Sequence, residues 1–245
     1  MEGRGPRVLR RVTAAAAALV LGAVALGSRA PAAAQAEWEA ARRQMIATQM
    51  AARGIAESAV LEAIGRVPRH LFVPPESRHL AYADQPLPIG YDQTISQPYI
   101  VAYMTEALQV SPGHTVLEIG TGSGYQAAVL AELVREVYTI EIVPELAEQA
   151  RRTLAETGYR NVQVRTGNGY LGWPERAPFP RIIATAAPEE IPPALVEQLA
   201  VGGRMVLPVG EGLQEIVIVT KTARGVTERR TLPVRFVPMV GKPRP

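Results

Sequence analysis

Three glycines, and an acidic residue at a fixed distance from them, carry the clearest chemical signal in the sequence. The apolar run at 116–119 leads directly into Gly120, Gly122 and Gly124, and a second apolar run ends at Glu141, 17 residues beyond the last glycine. Glycines let a backbone approach a ligand closely, and a carboxylate at the end of the next strand can bind ribose hydroxyls. The pattern predicts a nucleotide site built on a strand, a turn, a helix and a second strand.

The spacing of the glycines indicates which nucleotide this site binds. It reads G-x-G-x-G rather than the G-x-G-x-x-G of dinucleotide sites, and no Lys or Arg lies between Gly120 and Arg135 to meet a pyrophosphate. Glu118 adds a second carboxylate just before the turn. Two acids without a base favour a ligand with ribose hydroxyls and a cationic part. S-adenosylmethionine, which carries a sulfonium and an ammonium group, fits this description better than NAD.

The first 36 residues have the features of a secretion signal. Four arginines within the first 11 residues precede a 15-residue apolar stretch at 12–26, and Ala34, Gln35 and Ala36 form a small-x-small cleavage site. We expect cleavage after Ala36 and a periplasmic or extracellular protein. An uncleaved membrane anchor is the alternative, although the stretch is shorter than the about 20 residues that a span needs. The pair Arg10-Arg11 leaves the export route open between the general and the twin-arginine pathways.

Composition excludes several classes of function. Residues 1–36 hold five Arg and one Glu, so the remaining chain has 21 basic and 22 acidic residues and a formal charge of −1. Such a chain has no general basic excess for nucleic acid, and we expect no nucleic-acid partner. The chain contains no Cys, which excludes a disulfide framework and a thiol nucleophile. Its three histidines show no metal-ligand spacing, and we predict no metal site.

Hydrophobic periodicity predicts an α/β fold. Residues 37–66 have helical spacing with Gly54 as a helix C-cap, and residues 68–99 are rich in Pro and Gly and read as a long loop. From Thr115 onward, strands and helices alternate, which is typical of a mostly parallel, doubly wound Rossmann-like sheet. The predicted strands are 115–119, 137–142, 162–166, 182–186 and 204–209, with β-rich segments at 215–222 and 234–240 forming a sheet edge.

These elements predict one domain over residues 37–245. Within it, 37–110 form an N-terminal cap of helices and loop that contacts substrate, 111–210 form the cofactor-binding core, and 211–245 form a C-terminal β segment. The glycine turn lies at the start of the core, and the long loop of the cap precedes it in sequence.

The chain beyond the leader resembles the protein-L-isoaspartate O-methyltransferases over nearly its whole length. The resemblance rests on the glycine turn together with 68–74 (Pro-Arg-His-Leu-Phe-Val-Pro), 81–84, 86–90, 93–98 (Gln-Thr-Ile-Ser-Gln-Pro), 186–188, 191–192, 202–203, 207–210 and 236–238. It implies a class I methyltransferase fold. It also implies methyl transfer from S-adenosylmethionine to the α-carboxylate of L-isoaspartyl residues in damaged proteins or peptides. We expect a monomer without stable membrane association after cleavage.

The resemblance also assigns roles to individual residues. It implies that Ser96 is the catalytic residue, whose hydroxyl orients the substrate carboxylate. The residues expected to bind cofactor are Gln93, Thr94, Ile95, Glu118, Gly120, Gly122, Gly124, Glu141, Asn168 and Gly169. The residues expected to bind substrate are Gln97, Pro98 and Gln214.

Three positions depart from the family pattern. Asn168 stands where the family has an Asp that contacts the adenine amino group, Asp92 stands where Gly is commoner, and Pro180 stands where an Asp is usual. These departures keep other functions open at this point. The alternatives are a methyltransferase of the same fold that acts on a small molecule or nucleic acid, an exported protein of this fold without catalysis, and an NAD-dependent oxidoreductase.

Overall fold

A computed structural model describes residues 1–3 and 32–242. The basic and apolar parts of the predicted leader therefore lie outside the described residues. The helices are α1 (Ala32–Met45), α2 (Ser58–Arg66), α3 (Pro98–Leu108), α4 (Tyr125–Ala131), α5 (Pro144–Glu156) and α6 (Pro193–Gln198). The strands are β1 (Leu87–Gly90), β2 (Gln93–Ile95), β3 (Thr115–Ile119), β4 (Glu136–Glu141), β5 (Val162–Thr166), β6 (Phe179–Ala184), β7 (Leu199–Val209), β8 (Gln214–Thr222) and β9 (Gly225–Val234).

Seven of these strands form the central sheet in the order β5-β4-β3-β6-β7-β8-β9. Strands β3 to β7 pair in parallel, and β8 and β9 add antiparallel strands at one edge. The strand order reverses between β3 and β6, which is where α/β sheets of this kind open a cleft at their carboxyl ends. The predicted α/β class and doubly wound sheet are confirmed.

The middle strands are buried on both faces because their apolar residues point both ways. In β3, Leu117 packs with Leu195 of α6 on one face, while Val116 packs with Met104 of α3 and Leu130 of α4 on the other. Strands buried on both faces read as continuous apolar runs, which is why the sequence made them easy to locate.

The N-terminal helices form a cap whose end is set by a glycine. Helix α1 continues through a π turn (Ile46–Met50) and a 3-10 turn (Ala51–Arg53) to Gly54, which has a φ of 90° and confirms the predicted C-cap. In the middle of α1, the Trp38 ring stacks on His70 with centroids 4.7 Å apart. His70 in turn shares a 2.8 Å hydrogen bond between its Nδ1 and the Tyr82 hydroxyl.

The Pro-rich segment at 68–99 is more ordered than the predicted loop. It contains two 3-10 turns (Arg69–Leu71 and Pro75–Leu80) and an antiparallel hairpin of β1 and β2. Strands of three and four residues are too short to show alternation in a sequence, so the hairpin escaped prediction. Its two-residue turn is formed by Tyr91 and Asp92, both with positive φ (54° and 55°).

The predicted strand at 234–240 is wrong. The last strand, β9, ends at Val234, and the following segment crosses the carboxyl edge of the sheet, where Pro238 makes a single bridge to Ala187. An edge strand needs few apolar residues, and β9 carries exposed side chains such as Glu228 and Arg229. It therefore lacks the hydrophobic pattern by which the other strands were predicted. The apolar residues at 237–240 mark a different structure, a covering over the cleft.

Other bounds shift by smaller amounts. Strand β7 begins at Leu199 rather than at the predicted 204. Helix α4 ends at Ala131, and residues 167–180 contain two 3-10 turns. None of the helices that the structure describes is long and apolar enough to cross a bilayer.

Candidate active site

The glycine turn after β3 has the backbone geometry that only glycine adopts freely. Gly120, Gly122 and Gly124 have φ angles of 93°, 52° and 87°. A Cβ on Gly120 would also lie 2.6 Å from the Thr185 Oγ1, which donates a hydrogen bond to the Gly120 carbonyl. The turn is therefore fixed against the end of β6, and its backbone forms the floor of the cleft.

Glu141 ends β4 and lies beside this turn. Its Oε2 accepts a 2.8 Å hydrogen bond from the Gly122 amide, and its Oε1 accepts a 3.0 Å bond from the Val143 amide. The carboxylate lines the cleft. Its remaining lone pairs can accept from ribose hydroxyls while it holds the turn in place, since an ionised carboxylate has about four acceptor sites.

Glu118 is the second predicted acid, and it lies in a different environment. It is fully buried in the middle of β3, and neither carboxylate oxygen has a hydrogen-bond partner among the described residues. Burial raises the pKa of Glu118 to about 8, the nearby Thr139 hydroxyl partly offsets this, and the charge of Glu141 adds to it. Burial therefore favours the protonated form of Glu118, which lies behind the turn rather than on the cleft surface. Its role in cofactor binding stays a prediction.

The cleft at the turn suits a cationic nucleoside. Among the described residues that line it, Glu141 is a carboxylate and none is Lys or Arg. Gly169 lies on one wall, where a Cβ would come within 2.3 Å of the Ile119 Cγ2, so no larger residue fits there. The lining consists of Gln93, Thr94, Ile119, Gly120, Gly122, Ile140, Glu141, Ile142, Val143, Gly169, Thr185, Ala186, Val237, Pro238, Met239 and Val240. Apolar walls for a purine with one acid for the ribose fit S-adenosylmethionine, whereas the pyrophosphate of NAD would find no cation.

Asn168 connects this cleft to the segment that covers it. Its Oδ1 accepts from the Tyr170 amide at 3.0 Å, and its Nδ2 donates to the Gly241 carbonyl at 2.6 Å. The Tyr170 hydroxyl donates to the Met239 carbonyl at 3.1 Å. The 3-10 turn that follows β5 thereby holds 239–241 over the cleft. The predicted contact of Asn168 with adenine stays a prediction.

The hairpin places Ser96 between two clefts. Gln93 and Thr94 line the cofactor cleft, and Ile95 and Ser96 line a small inner cleft at the glycine turn. Ser96 also lines an outer cleft of about 490 Å³ that opens toward Gln97 and 233–237. A group in the outer cleft and a cofactor on the turn can thus approach one another at Ser96.

Thr94 and Thr185 line all three clefts. They therefore mark the junction at which the three clefts meet. Thr185 escaped the sequence analysis. Its position immediately after β6, next to the end of β3, is the signal that could have identified it, because ligands bind at the carboxyl ends of such strands.

The predicted substrate-binding residues occupy three different places. Gln97 lines the outer cleft, and its Nε2 donates to the Asp84 Oδ1 at 2.8 Å. Pro98 is buried as the first residue of α3. Gln214 is buried and uses both ends of its amide on the backbone of Phe236, which fixes one wall of the outer cleft. Contact of these residues with substrate stays a prediction.

Comparison with known sequences identifies a family that covers most of the chain. The family described as "Protein-L-isoaspartate(D-aspartate) O-methyltransferase" matches residues 40–244. A protein-L-isoaspartate O-methyltransferase of Gloeobacter violaceus is 60% identical over 197 residues, which cover 80% of this chain and 96% of the relative. Protein-L-isoaspartate O-methyltransferase 2 of Anaeromyxobacter sp. (strain Fw109-5) is 55% identical over 239 residues, covering 95% of this chain and 98% of the relative.

Solved structures show the same fold. A protein-L-isoaspartate O-methyltransferase superposes with a TM-score of 0.74 at 28% identity, covering 82% of this chain and 66% of that chain. A Plasmodium falciparum structure described as such an enzyme in complex with S-adenosyl-L-homocysteine gives a TM-score of 0.72 at 23% identity, covering 81% of this chain and 98% of that chain. The seven-stranded sheet and its cap are thus a known architecture.

Proposed function

The chain belongs to the protein-L-isoaspartate(D-aspartate) O-methyltransferase family, and we propose that Ser96 orients the substrate in this reaction and that the reaction takes place outside the cytoplasm. The protein transfers a methyl group from S-adenosylmethionine to the α-carboxylate of L-isoaspartyl residues in damaged proteins or peptides. The ester then cyclises to a succinimide, which reopens partly to normal aspartate. Family membership does not favour the alternative of a non-catalytic protein.

The reaction asks little of the protein beyond geometry. S-adenosylmethionine supplies an activated methyl group when it is bound, and a substrate carboxylate is already ionised near neutral pH, so no general base is needed. What remains is to hold the carboxylate in line with that group and to keep water away. Ile95 and Val101 contribute apolar walls to the inner cleft beside the glycine turn.

Different residues of the cofactor cleft are suited to different parts of S-adenosylmethionine. The positive-φ backbone of the glycine turn provides a surface that a nucleoside can approach closely, and Glu141 accepts from ribose hydroxyls. The side chains at 237–240 and Ile119 would form apolar walls for the purine. Gln93 and Thr94 of the hairpin close the site from the substrate side.

The observation that carries the role of Ser96 is its place in the linings of both the inner and the outer cleft. A hydroxyl at this junction can donate a hydrogen bond to a carboxylate that enters from the outer cleft. Removing it disturbs the alignment of the reacting groups and leaves the cofactor cleft intact.

The test compares Ser96→Ala with the wild type on an isoaspartyl peptide and on its normal aspartyl isomer. We expect turnover of the isoaspartyl peptide to fall by about 10- to 1000-fold, the range for a lost positioning bond. Cofactor affinity, measured by calorimetry, should stay within about threefold, under 1 kcal/mol. Ser111→Ala, an exposed serine remote from the clefts, is the matched control. An unchanged rate in Ser96→Ala would remove Ser96 from the mechanism.

Export is the second part of the proposal, and it is supported by the arrangement of α1. Cleavage after Ala36 would remove only the first five residues of this 14-residue helix. The side chains of α1 that pack on the cap, Trp38, Ala41 and Met45, all lie beyond the cut. N-terminal sequencing of the protein from its native host, after separation of the cell fractions, decides the question. A soluble cytosolic protein that still begins at Met1 would contradict export.

A further inference from the structure

Arg69 is a fully buried arginine that donates hydrogen bonds to the backbone, including that of Ser96 immediately after the β1–β2 hairpin. It lies in the 3-10 turn Arg69–Leu71 of the cap. Its Nη2 donates to the carbonyl of Ser96 at 2.7 Å, and its Nε donates to the carbonyl of Ala81 at 2.7 Å. A hydrogen bond from a charged donor is about twice as strong as a neutral one, so these contacts are strong constraints on the backbone.

The same guanidinium also contacts Tyr125, which follows the glycine turn. Its Cζ lies 4.7 Å from the centre of the Tyr125 ring, and Tyr125 is the first residue of α4, directly after Gly124. Tyr125 is itself buried and held edge-on by Phe72, with ring centroids 5.7 Å apart. Arg69 therefore spans the distance between the end of the glycine turn and the backbone of Ser96. It fixes the position of one relative to the other.

The cost of this arrangement indicates that it serves more than the fold. No salt bridge among residues 32–242 involves Arg69, and its Nη1 has no hydrogen-bond partner there. Burial lowers the pKa of Arg69, yet a guanidinium stays charged in proteins. A buried cation without an acidic partner is expensive, and an apolar residue of similar volume would often stabilise such a site.

We propose that Arg69 is a positioning residue, which holds the Ser96 backbone at a fixed distance from the glycine turn and so sets the place of the Ser96 hydroxyl. The inference rests on the proposed role of Ser96. It adds to that role the residue through which the hydroxyl is held. Arg69 does not touch the clefts, so its loss affects the alignment of substrate and leaves cofactor binding largely unchanged.

The test uses the full mature chain with Arg69→Met, Arg69→Lys and a double variant with Ser96→Ala. The matched control is Arg176→Met, which removes an exposed arginine stacked on a Tyr138 ring at 5.1 Å, away from the three clefts. We expect Arg69→Met to lower kcat on an isoaspartyl peptide by about 10- to 100-fold. S-adenosylmethionine affinity by calorimetry should change by less than threefold. Arg69→Lys keeps the charge and can reach one carbonyl, so its kcat should lie between those of the wild type and Arg69→Met.

Two further measurements separate positioning from a general loss of structure. Amide hydrogen exchange should accelerate at 93–97 in Arg69→Met and remain unchanged in the central strands. In the Ser96→Ala background, Arg69→Met should lower kcat by less than threefold, because the hydroxyl that it positions is already absent. If Arg69→Met does not fold, Arg69→Lys carries the same comparison of kcat, exchange and the double variant.

The outcomes distinguish this inference from the proposed role of Ser96. A large effect of Ser96→Ala with none of Arg69→Met or Arg69→Lys overturns the inference alone. Fully multiplicative losses in the double variant also overturn it, because they show that the two residues act independently. If Ser96→Ala itself has no effect on kcat, the proposed role of Ser96 and the positioning role of Arg69 are both wrong.

Discussion

Glu118 and Glu141 show how the environment of a residue decides its chemistry. The two acids lie in adjacent strands of the sheet, and both were predicted to bind cofactor. Glu141 accepts two backbone hydrogen bonds and lines the cleft, whereas Glu118 has no such bond and is fully buried. Burial raises the pKa of Glu118 and so favours its protonated form within the sheet.

The state of Glu118 gives a prediction for stability against pH. Its folded-state pKa of about 8 lies above the ordinary value of 4.5, so the folded protein retains a proton that the unfolded chain releases. This stabilisation is complete below the unfolded pKa and is lost as the pH rises through the folded one. Between pH 5 and 7, we expect the free energy of unfolding to fall by about 2 kcal/mol more in the wild type than in Glu118→Gln. Urea unfolding without cofactor measures it.

The comparison with Glu118→Gln removes other titrations from this measurement. Burial lowers the pKa of His70 to about 4, and the charges of Arg42 and Arg78 add to this. His70 therefore contributes an opposite slope, but the slope is shared by both variants. Parallel pH profiles for the two proteins would show that Glu118 is ionised in the folded state.

The residues of the site differ in how readable they were from sequence. The glycine turn and Glu141 form a local pattern, in which spacing along the chain dictates spacing in the fold. Arg69 and Thr185 act through contacts with residues 27 and 65 positions away. Hydrophobic periodicity does not predict contacts between residues so far apart in sequence. These contacts were therefore identified only from the folded structure.

At the scale of elements, the hairpin of β1 and β2 contains a strained turn. Asp92 has a φ of 55°, a conformation in which a side chain costs about 1 kcal/mol and glycine costs little. Asp92→Gly should therefore leave the fold as stable or raise its stability by up to about 1 kcal/mol, despite the added flexibility of the unfolded chain. Chemical unfolding measures this, with Gly90→Ala as the opposite control, since Gly90 has a φ of 92° and alanine there should destabilise.

The covering segment gives a second prediction at this scale. Asn168 donates from its Nδ2 to the Gly241 carbonyl, and an aspartate at this position has no such donor. Asn168→Asp should place a carboxylate against that carbonyl and loosen the segment, although the family usually carries Asp here. We expect S-adenosylmethionine affinity to fall by about threefold to tenfold, around 1 kcal/mol.

Calorimetry on Asn168→Asp and Asn168→Ala tests this. If the carboxylate binds the adenine amino group strongly enough to raise affinity, the adenine contact outweighs the bond to Gly241. Asn168→Ala loses both interactions and sets the baseline for the comparison.

The helices and strands were predicted where the burial of their residues produces a hydrophobic pattern in the sequence. Strands β3, β4 and β6 were located within a few residues because they carry apolar residues on both faces, and β5 was located from its alternation of apolar and polar residues. The hairpin and β9 were missed since short strands and exposed edge strands carry little hydrophobic signal. The apolar run at 237–240 was misread as a strand because packing over a cleft selects the same residue types as packing in a sheet.

At the scale of the whole molecule, the cap depends on the part of α1 from Trp38 onward. Trp38 stacks on His70 and packs near Tyr82, which is why cleavage after Ala36 should spare the fold. A chain that begins at Glu37 should unfold at the same urea concentration as one that begins at Ala32. Trp38→Ala should lower the free energy of unfolding by about 2 kcal/mol, less than for a fully buried Trp because the ring is half-buried. Equal stability of Trp38→Ala and the wild type would show that the packing of Trp38 does not stabilise the cap.

The segment that covers the cofactor cleft also bears on the order in which the site comes into being during synthesis. Residues 237–240 are translated after every strand of the sheet. The wall of the cofactor cleft that they form is therefore incomplete until they have been synthesised. A chain that crosses a membrane unfolded therefore crosses it without a formed pocket and must acquire its methyl donor on the far side. Under the export proposed above, only a chain translocated in its folded state could carry the donor with it, and the translocation route would then affect the enzyme's first turnover.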